Sequence, residues 1–189
     1  MLSRIVLFTI ALNTVFGQGF AVDTKSFKIE WEAYKFTSRA AVKGTFDRYM
    51  AGGFQQSKTV GDLFDGVEIL IDTGSVNSGN PARDYTLGVK FFKLFSGGTI
   101  TAKTSNYENG EVDLFVNMNG RIAQRRVNVS ISDSKISFEA NFDMMKDFML
   151  GEAWNSIHEA CKILHTGPDG KSVTGTDVTV RFSANLMKL

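Results

Sequence analysis

The chain has a single cysteine, Cys161, among 189 residues, so no intrachain disulfide can form. A domain of this size does not need one. No apolar run is long enough to cross a bilayer. The run from Ile5 to Leu12 falls far short of a span. Charge of one sign is not in excess. Without Arg4 the 21 Lys and Arg become 20, equal to the 20 Asp and Glu. No global field would draw the protein to nucleic acid or to an anionic surface. There is no GxSxG elbow, no phosphate-cradling glycine loop, no paired cysteine motif, no internal repeat and no low-complexity linker. These absences remove most common catalytic and nucleic-acid-binding classes.

What the first residues do contain is a leader pattern. Arg4 precedes the apolar run Ile5–Leu12, and small residues at Val15 and Gly17, or at Gly19 and Ala21, offer cleavage sites. This is the layout of a secretory signal over residues 1–21, with a single domain over 22–189. The expected location is the periplasm or the exterior. A mature chain of about 170 residues is enough for one domain with one sizeable core.

Beyond the leader, apolar and polar residues alternate. Phe27, Ile29, Trp31 and Ala33 alternate with Lys28, Glu30 and Glu32, which gives a first strand. Further strands are expected at Ala41–Phe46, Val67–Val76, Thr99–Tyr107, Val112–Met118, Arg121–Ser132, Lys135–Phe142 and Asp177–Leu186. Gly44, inside the second, suggests a bulge or tight bend. Short polar turns at NYENGE, MNG and SDSK suit an up-and-down meander. Met50 to Ser57 reads as a Gly-rich loop, followed by a short turn from Thr59 to Phe64.

Two helical inserts interrupt the pattern. Asn80 caps and Pro81 opens the first, which is expected to end near Phe95. The second runs from Met144 to His165, with Trp154, Ile157, Cys161 and Leu164 on one apolar stripe. The fold class expected is all-β: an eight-stranded antiparallel barrel with two short helical inserts. A barrel of that size either fills with its own side chains or holds one small apolar ligand. The 16 Phe fit a large apolar interior, packed or hollow.

Three stretches carry a resemblance. Val42–Phe46 (VKGTF), Ile71–Leu87 (IDTGSVNSGNPARDYTL) and the pair Phe91–Phe92 resemble the YceI-like family in order and spacing. The resemblance covers roughly residues 22 to 187. It implies a secreted, lipocalin-like barrel that binds polyisoprenoids or other long-chain amphiphiles in a central apolar channel. The helix from Gly151 to Leu164 and the following GPDGKS turn depart from the shorter members and bear on the channel mouth.

Periodicity alone does not separate a hollow barrel from a filled one; the resemblance implies the hollow one. The candidate lining on strands one to three is Ile29, Trp31, Ala33, Phe46, Ile69 and Ile71. Later strands contribute Leu114, Val116, Arg125, Val127, Val129, Phe138, Phe142, Val180 and Phe182. Phe91 and Phe92 would plug one end. Arg125 shares parity with Ala123 and Val127, so it needs an inward partner, either a carboxylate or a ligand headgroup. Arg83 is the other headgroup candidate, because guanidinium pairs well with phosphate. The alternative, and the favoured one, is an ion pair with Asp84 that fixes the helix to the rim.

No catalytic residue, cofactor or metal is expected. His158, Cys161 and His165 lie on one side of a helix, but seven residues rise about 10.5 Å, too far for one zinc. Cys161 is read as a packed core residue. The partner expected is a long-chain lipid or isoprenoid, with no nucleic acid and no membrane span; a homodimer is left open. The function expected is binding, sequestration or transport of a polyisoprenoid, isoprenoid quinone or fatty-acid derivative, without chemistry. The alternatives are a lipid-modifying enzyme built on inward polar groups such as Arg125, and a filled barrel serving as an interaction module. N-terminal sequencing of the exported protein should find the chain cut between Gly17 and Val22. A mature form that keeps Leu2 to Leu12 contradicts the export reading.

Overall fold

The computed structural model describes residues 19–132 and 134–189. The expected leader lies outside the described residues except for Gly19 to Ala21. The first strand, β1 (Phe20–Lys35), begins two residues before the expected domain start and already buries Ala21 and Val22. Next come β2 (Ala40–Phe46), β3 (Tyr49–Gly52), β4 (Glu68–Asp72), β5 (Val76–Asn77) and helix α1 (Pro81–Lys90). Then follow β6 (Thr99–Glu108), β7 (Glu111–Met118), β8 (Arg121–Ser132) and β9 (Lys135–Asp143). Helices α2 (Met144–Phe148) and α3 (Gly151–Cys161) precede the last strand, β10 (Thr174–Lys188).

All strand pairs are antiparallel, in a ten-stranded sheet of order β3-β4-β6-β7-β8-β9-β10-β1-β2-β5. The all-β expectation holds, but the described residues form ten strands rather than eight. The expected strand Val67–Val76 is broken into β4 and β5, and an unexpected strand, β3, follows β2. The chain bends at Asp47–Arg48 between β2 and β3, and through a 3-10 turn at Thr73–Ser75 between β4 and β5. The two bends face each other: Asp47 N–H donates to Ser75 O at 2.9 Å and Asp72 N–H to Arg48 O at 3.1 Å. Phe46 pairs with Val76 on one side and Tyr49 with Ile71 on the other. The sheet therefore curls round until its two ends meet at this double bend. The stretch expected as a loop from Met50 contributes β3.

The tight turns follow from sequence. Asn109–Gly110 and Asn119–Gly120 have positive φ at both residues, as two-residue hairpin turns between right-twisted strands demand. The side chain of Asn80 accepts from Arg83 N–H at 3.1 Å and Pro81 opens α1, as expected. The helix ends at Lys90, earlier than expected, and a 3-10 turn at Phe92–Leu94 follows. The second insert is two helices rather than one. Met149 takes a left-handed conformation, φ 54°, and breaks α2 from α3.

The interior has two unlike halves. At the end where β1 meets Lys188, it is solid. Phe138 stacks on Phe182 at 4.8 Å between ring centres, and Phe27 and Phe64 pack against this pair. Leu63, Val112 and Leu114 are fully buried. The short turn Gly61–Phe64 caps this end, where the Thr104 hydroxyl donates to Phe64 O. At the other end the inward residues are smaller, and α1 and α3 sit over an opening.

Gly44 does not mark a bulge, since its pairing with Trp31 is regular. It marks a close approach. A Cβ there would lie 2.3 Å from the Trp31 ring and 2.5 Å from Asn77 O. The indole is pinned flat against the β2 backbone, with its N–H donating to Thr45 O at 3.1 Å. Gly44→Ala should therefore destabilise the fold by about 1–3 kcal/mol, as overpacking does. Urea unfolding followed by Trp fluorescence measures it, and an unchanged midpoint would contradict the close-packing account.

Candidate functional site

The hollow half encloses a cavity of about 460 Å³, within the usual range for a small-molecule site. Alternation builds its wall. Successive inward positions of β1, β2, β4, β6, β7, β9 and β10 supply Ile29, Trp31, Ala33, Val42, Phe46, Ile71, Ile100, Ala102, Val116, Met118, Phe142, Val178, Val180 and Phe182. From α1 and the turn after it come Leu87, Phe91 and Phe92; from α3 come Trp154, Ile157 and Cys161. Phe91, Phe92 and Phe95 form an edge-to-face cluster 5.0 to 5.3 Å apart, which holds the 3-10 turn against the barrel.

Among the residues expected to line a channel, Ile29, Trp31, Ala33, Phe46, Ile71, Phe91, Phe92, Val116, Phe142, Val180 and Phe182 face this cavity, as does Arg83. Ile69, Leu114, Val127 and Phe138 do not. They point inward but lie at the solid end, packed in the core. Val129 is only partly buried and packs at the same end. Parity gives the direction of a side chain but not its depth along the barrel axis. Val42, Met118 and Val178 also line the cavity and share parity with Phe46, Val116 and Val180 on their own strands, whereas Ile100 and Ala102 lie on β6, from which no lining residue was expected. The helical contributions of Leu87, Trp154 and Ile157 have no period-two signal and come only from tertiary packing.

The Arg125 guanidinium does not face the cavity either. Nη2 donates to Asp147 Oδ2 at 2.5 Å, Nε to Asn141 O at 2.9 Å, and the group lies 4.8 Å over the Phe142 ring. The pairing of β8 with β9 stops at Val129 and Phe138, where the strands part and α2 enters. Arg125 bridges that seam, so its expected partner is a carboxylate on α2. Asp147 also accepts from Asp143 N–H at 2.8 Å, which ties α2 to the end of β9.

The cavity mouth is where the polar groups gather. Asp84 does not pair with Arg83; its Oδ1 accepts from Ser78 N–H at 2.8 Å and from the Ser78 hydroxyl at 2.6 Å. Arg83 is left facing the cavity together with Lys35. The two histidines, judged too far apart to converge, do converge. Helix α3 ends at Cys161, and the chain turns back so that Val173 N–H donates to His165 O at 3.1 Å. His158 Nδ1 and His165 Nδ1 both lie at hydrogen-bond distance, 3.0 and 2.7 Å, from the Thr174 hydroxyl. The His158 ring also stacks on Trp154 at 5.0 Å. Burial holds the His165 pKa below the usual value, and Lys35, His158 and Arg83 push it the same way. Asp177 sits at the same rim with both carboxylate oxygens on Arg39, at 3.2 and 2.5 Å, and that contact lowers its pKa.

Cys161 is not a packed core residue. It is half-buried on the cavity wall, because the apolar stripe of α3 looks into the mouth and only Ala153 and Ile157 reach full burial. Leu164, expected on the same stripe, lies past the end of α3 and is largely exposed.

Residues 20–186 match the model of the YceI-like domain. No curated protein matches the chain by sequence. Solved structures do. A polyisoprenoid binding domain from Saccharophagus degradans is 17% identical with a TM-score of 0.58, over 90% of this chain and 98% of that one. BcnA of Burkholderia cenocepacia is 14% identical with a TM-score of 0.55, over 88% and 99% of the two chains. The Campylobacter jejuni YCEI protein is 19% identical with a TM-score of 0.56, over 80% and 88%.

Burial raises the Cys161 thiol pKa, against a smaller opposing pull from Lys35 and Arg83. The thiolate is the nucleophile, so alkylation at neutral pH should be slower than for a free thiol and should speed up as pH rises. A long-chain ligand in the cavity should slow it further. Labelling followed by intact mass measures both, and labelling as fast as in unfolded protein would contradict this placement.

Proposed function

Because the chain belongs to the YceI-like domain family, we propose that it binds, sequesters or transports a long-chain apolar amphiphile in this cavity without covalent chemistry. The observation that carries this reading is a cavity of about 460 Å³ with an apolar wall, sealed at one end by packed aromatics and open at the other. The candidate ligands are a polyisoprenoid, an isoprenoid quinone or a fatty-acid derivative. The polyisoprenoid-binding neighbour supports lipid or isoprenoid binding in general. The leader pattern at Arg4 and Ile5–Leu12 supports an exported protein, periplasmic or secreted.

The site's polar groups support a carrier rather than an enzyme. A general acid or base must reach its partner and hold a suitable pKa. Here Asp177 is held by Arg39, Asp147 by Arg125, and both histidines meet on Thr174. Cys161 and His165 both face the cavity, but the His165 Nδ1 is taken by Thr174 and no hydrogen bond joins the ring to the thiol among the described residues.

Each methylene moved from water into such a wall gains about 0.8 kcal/mol, or about fourfold in affinity. Affinity for alkyl or prenyl chains should therefore climb with length until the cavity is full and then level off. A charge on the wall has no partner there, so Val180→Glu should abolish binding, provided circular dichroism shows the variant folded. Native mass spectrometry of protein from its own host, with a chain-length titration, provides the test. Affinity independent of chain length would contradict the proposal; turnover of a bound lipid would replace it with the enzyme reading.

A further inference from the structure

We propose that the mouth of the cavity is an anion site, in which Arg83, Lys35 and the His165–Thr174 pair hold the carboxylate or phosphate headgroup of the bound amphiphile. The inference rests on the carrier reading above and narrows it from amphiphiles in general to acidic ones.

Among the described residues, the side chains of Lys35, Arg83, Arg125, Arg126 and Arg181 are partly buried. Arg125 is paired with Asp147, Arg126 with Glu111 and Asp113, and Arg181 with Glu32 and Glu139. The other two have no ion pair among the described residues, and both face the same cavity. A cation half withdrawn from water and left without a counter-charge is costly. The cost is recovered when an anion arrives, and the attraction is stronger beside an apolar wall than in bulk water.

The wall offers no internal substitute. Its one carboxylate is Asp177, and Arg39 occupies both oxygens of that group. The remaining polar wall groups near the rim are Asn80, Thr86, Thr174 and His165. They come from α1 and its cap, from the segment after α3 and from the first residue of β10. Arg83 is placed by the cap of α1, whose Asn80 side chain holds its backbone N–H. Lys35 is placed by the last pair of β1 with β10, opposite Thr174. One end of the β1–β10 ladder and the first turn of α1 thus bring two cations and a hydroxyl to one opening. Below them the wall is apolar, which orients an amphiphile with its tail inward and its charge at the rim.

His165 reports on occupancy. The groups around it are Lys35 of β1, Arg83 of α1, His158 and Cys161 of α3, and Thr174 and Asp177 of β10, with Asp177 neutralised by Arg39. Burial, then Lys35, His158 and Arg83, lower its pKa in the free protein. An anion at the rim opposes that push, so occupancy should raise its apparent pKa. A neutral headgroup adds no such charge.

The test measures binding of palmitate, cetyl phosphate and cetyl alcohol by calorimetry, with the two histidine ring signals followed by NMR across pH. The expected result is that the anions bind about tenfold more tightly than the alcohol, the scale of a charge-assisted contact, and raise the apparent pKa of His165. The alcohol should leave it in place. Arg83→Gln and Lys35→Gln should each cut the anion-to-alcohol preference severalfold, with thermal melting confirming the fold. The His165 shift in the wild-type chain stands as a measurement that needs no variant. Preference for one anion over the other identifies the member of the proposed class. Equal binding of all three, with the His165 signal unmoved, overturns the anion site and leaves the carrier reading intact. Binding of none of the three overturns both.

Discussion

Everything distinctive in this molecule follows from a mismatch of volumes. A curled sheet of this circumference encloses a fixed space, and the inward side chains must fill it or leave it empty. At one end they are Phe27, Phe138, Phe182, Ile69 and Leu114, with Leu63 and Phe64 brought in from a short turn. These rings and branched chains are buried together in one packed cluster. At the other end the same strands present Ala33, Val42, Ala102, Val116, Val178 and Val180. Larger residues, Trp31, Phe46, Phe142 and Phe182, also reach the wall, and the Trp31 indole lies flat against Gly44 rather than across the space. The cavity is therefore a consequence of residue size along each strand, not of a separate pocket-forming loop.

The opening needs reinforcement, because the wall is weakest there. Strands β8 and β9 pair only from Val129 to Ser132. Past that point backbone hydrogen bonds give way to side-chain bonds. Arg125 reaches across to Asn141 O and to Asp147, and Asp143 caps α2 by accepting from Met145 and Lys146 N–H at 2.9 Å. The Asp143 carboxylate also accepts from the Thr176 hydroxyl at 3.0 Å, joining α2 to β10. The helices over the mouth are thus attached by charged and polar contacts, while the opposite end is held by aromatic packing.

The strand pattern was legible because alternation is a direct print of a one-sided sheet. Every strand expected at seven residues or more recurs near its place or is split by a bend, except that the first, expected at Phe27–Ala33, begins as early as Phe20. The bends themselves were not legible. Nothing in Asp47–Arg48 or Thr73–Ser75 marks a sheet corner without knowledge of the strand across from it. Met149 in a left-handed conformation was not legible either, since that conformation is unusual for Met. The site was half legible. Direction followed from parity, but depth did not, which is why Ile69, Leu114, Val127, Val129 and Phe138 fell outside the cavity. The rim was read as a helix surface; its true geometry depends on the chain reversing after Cys161, and no periodicity encodes that reversal.

The position of the last strand has a consequence for how the molecule assembles. β10 lies between β9 and β1, pairing Phe20 with Lys188 at one end and Lys35 with Thr174 at the other. Until Thr174–Lys188 is available, the other strands form an open sheet with two bare edges and an uncovered apolar face. Such a sheet invites pairing with other chains, and contacts so distant in sequence form slowly. Closure therefore waits on this strand, and the cavity comes into being only when its fifteen residues have docked between β9 and β1.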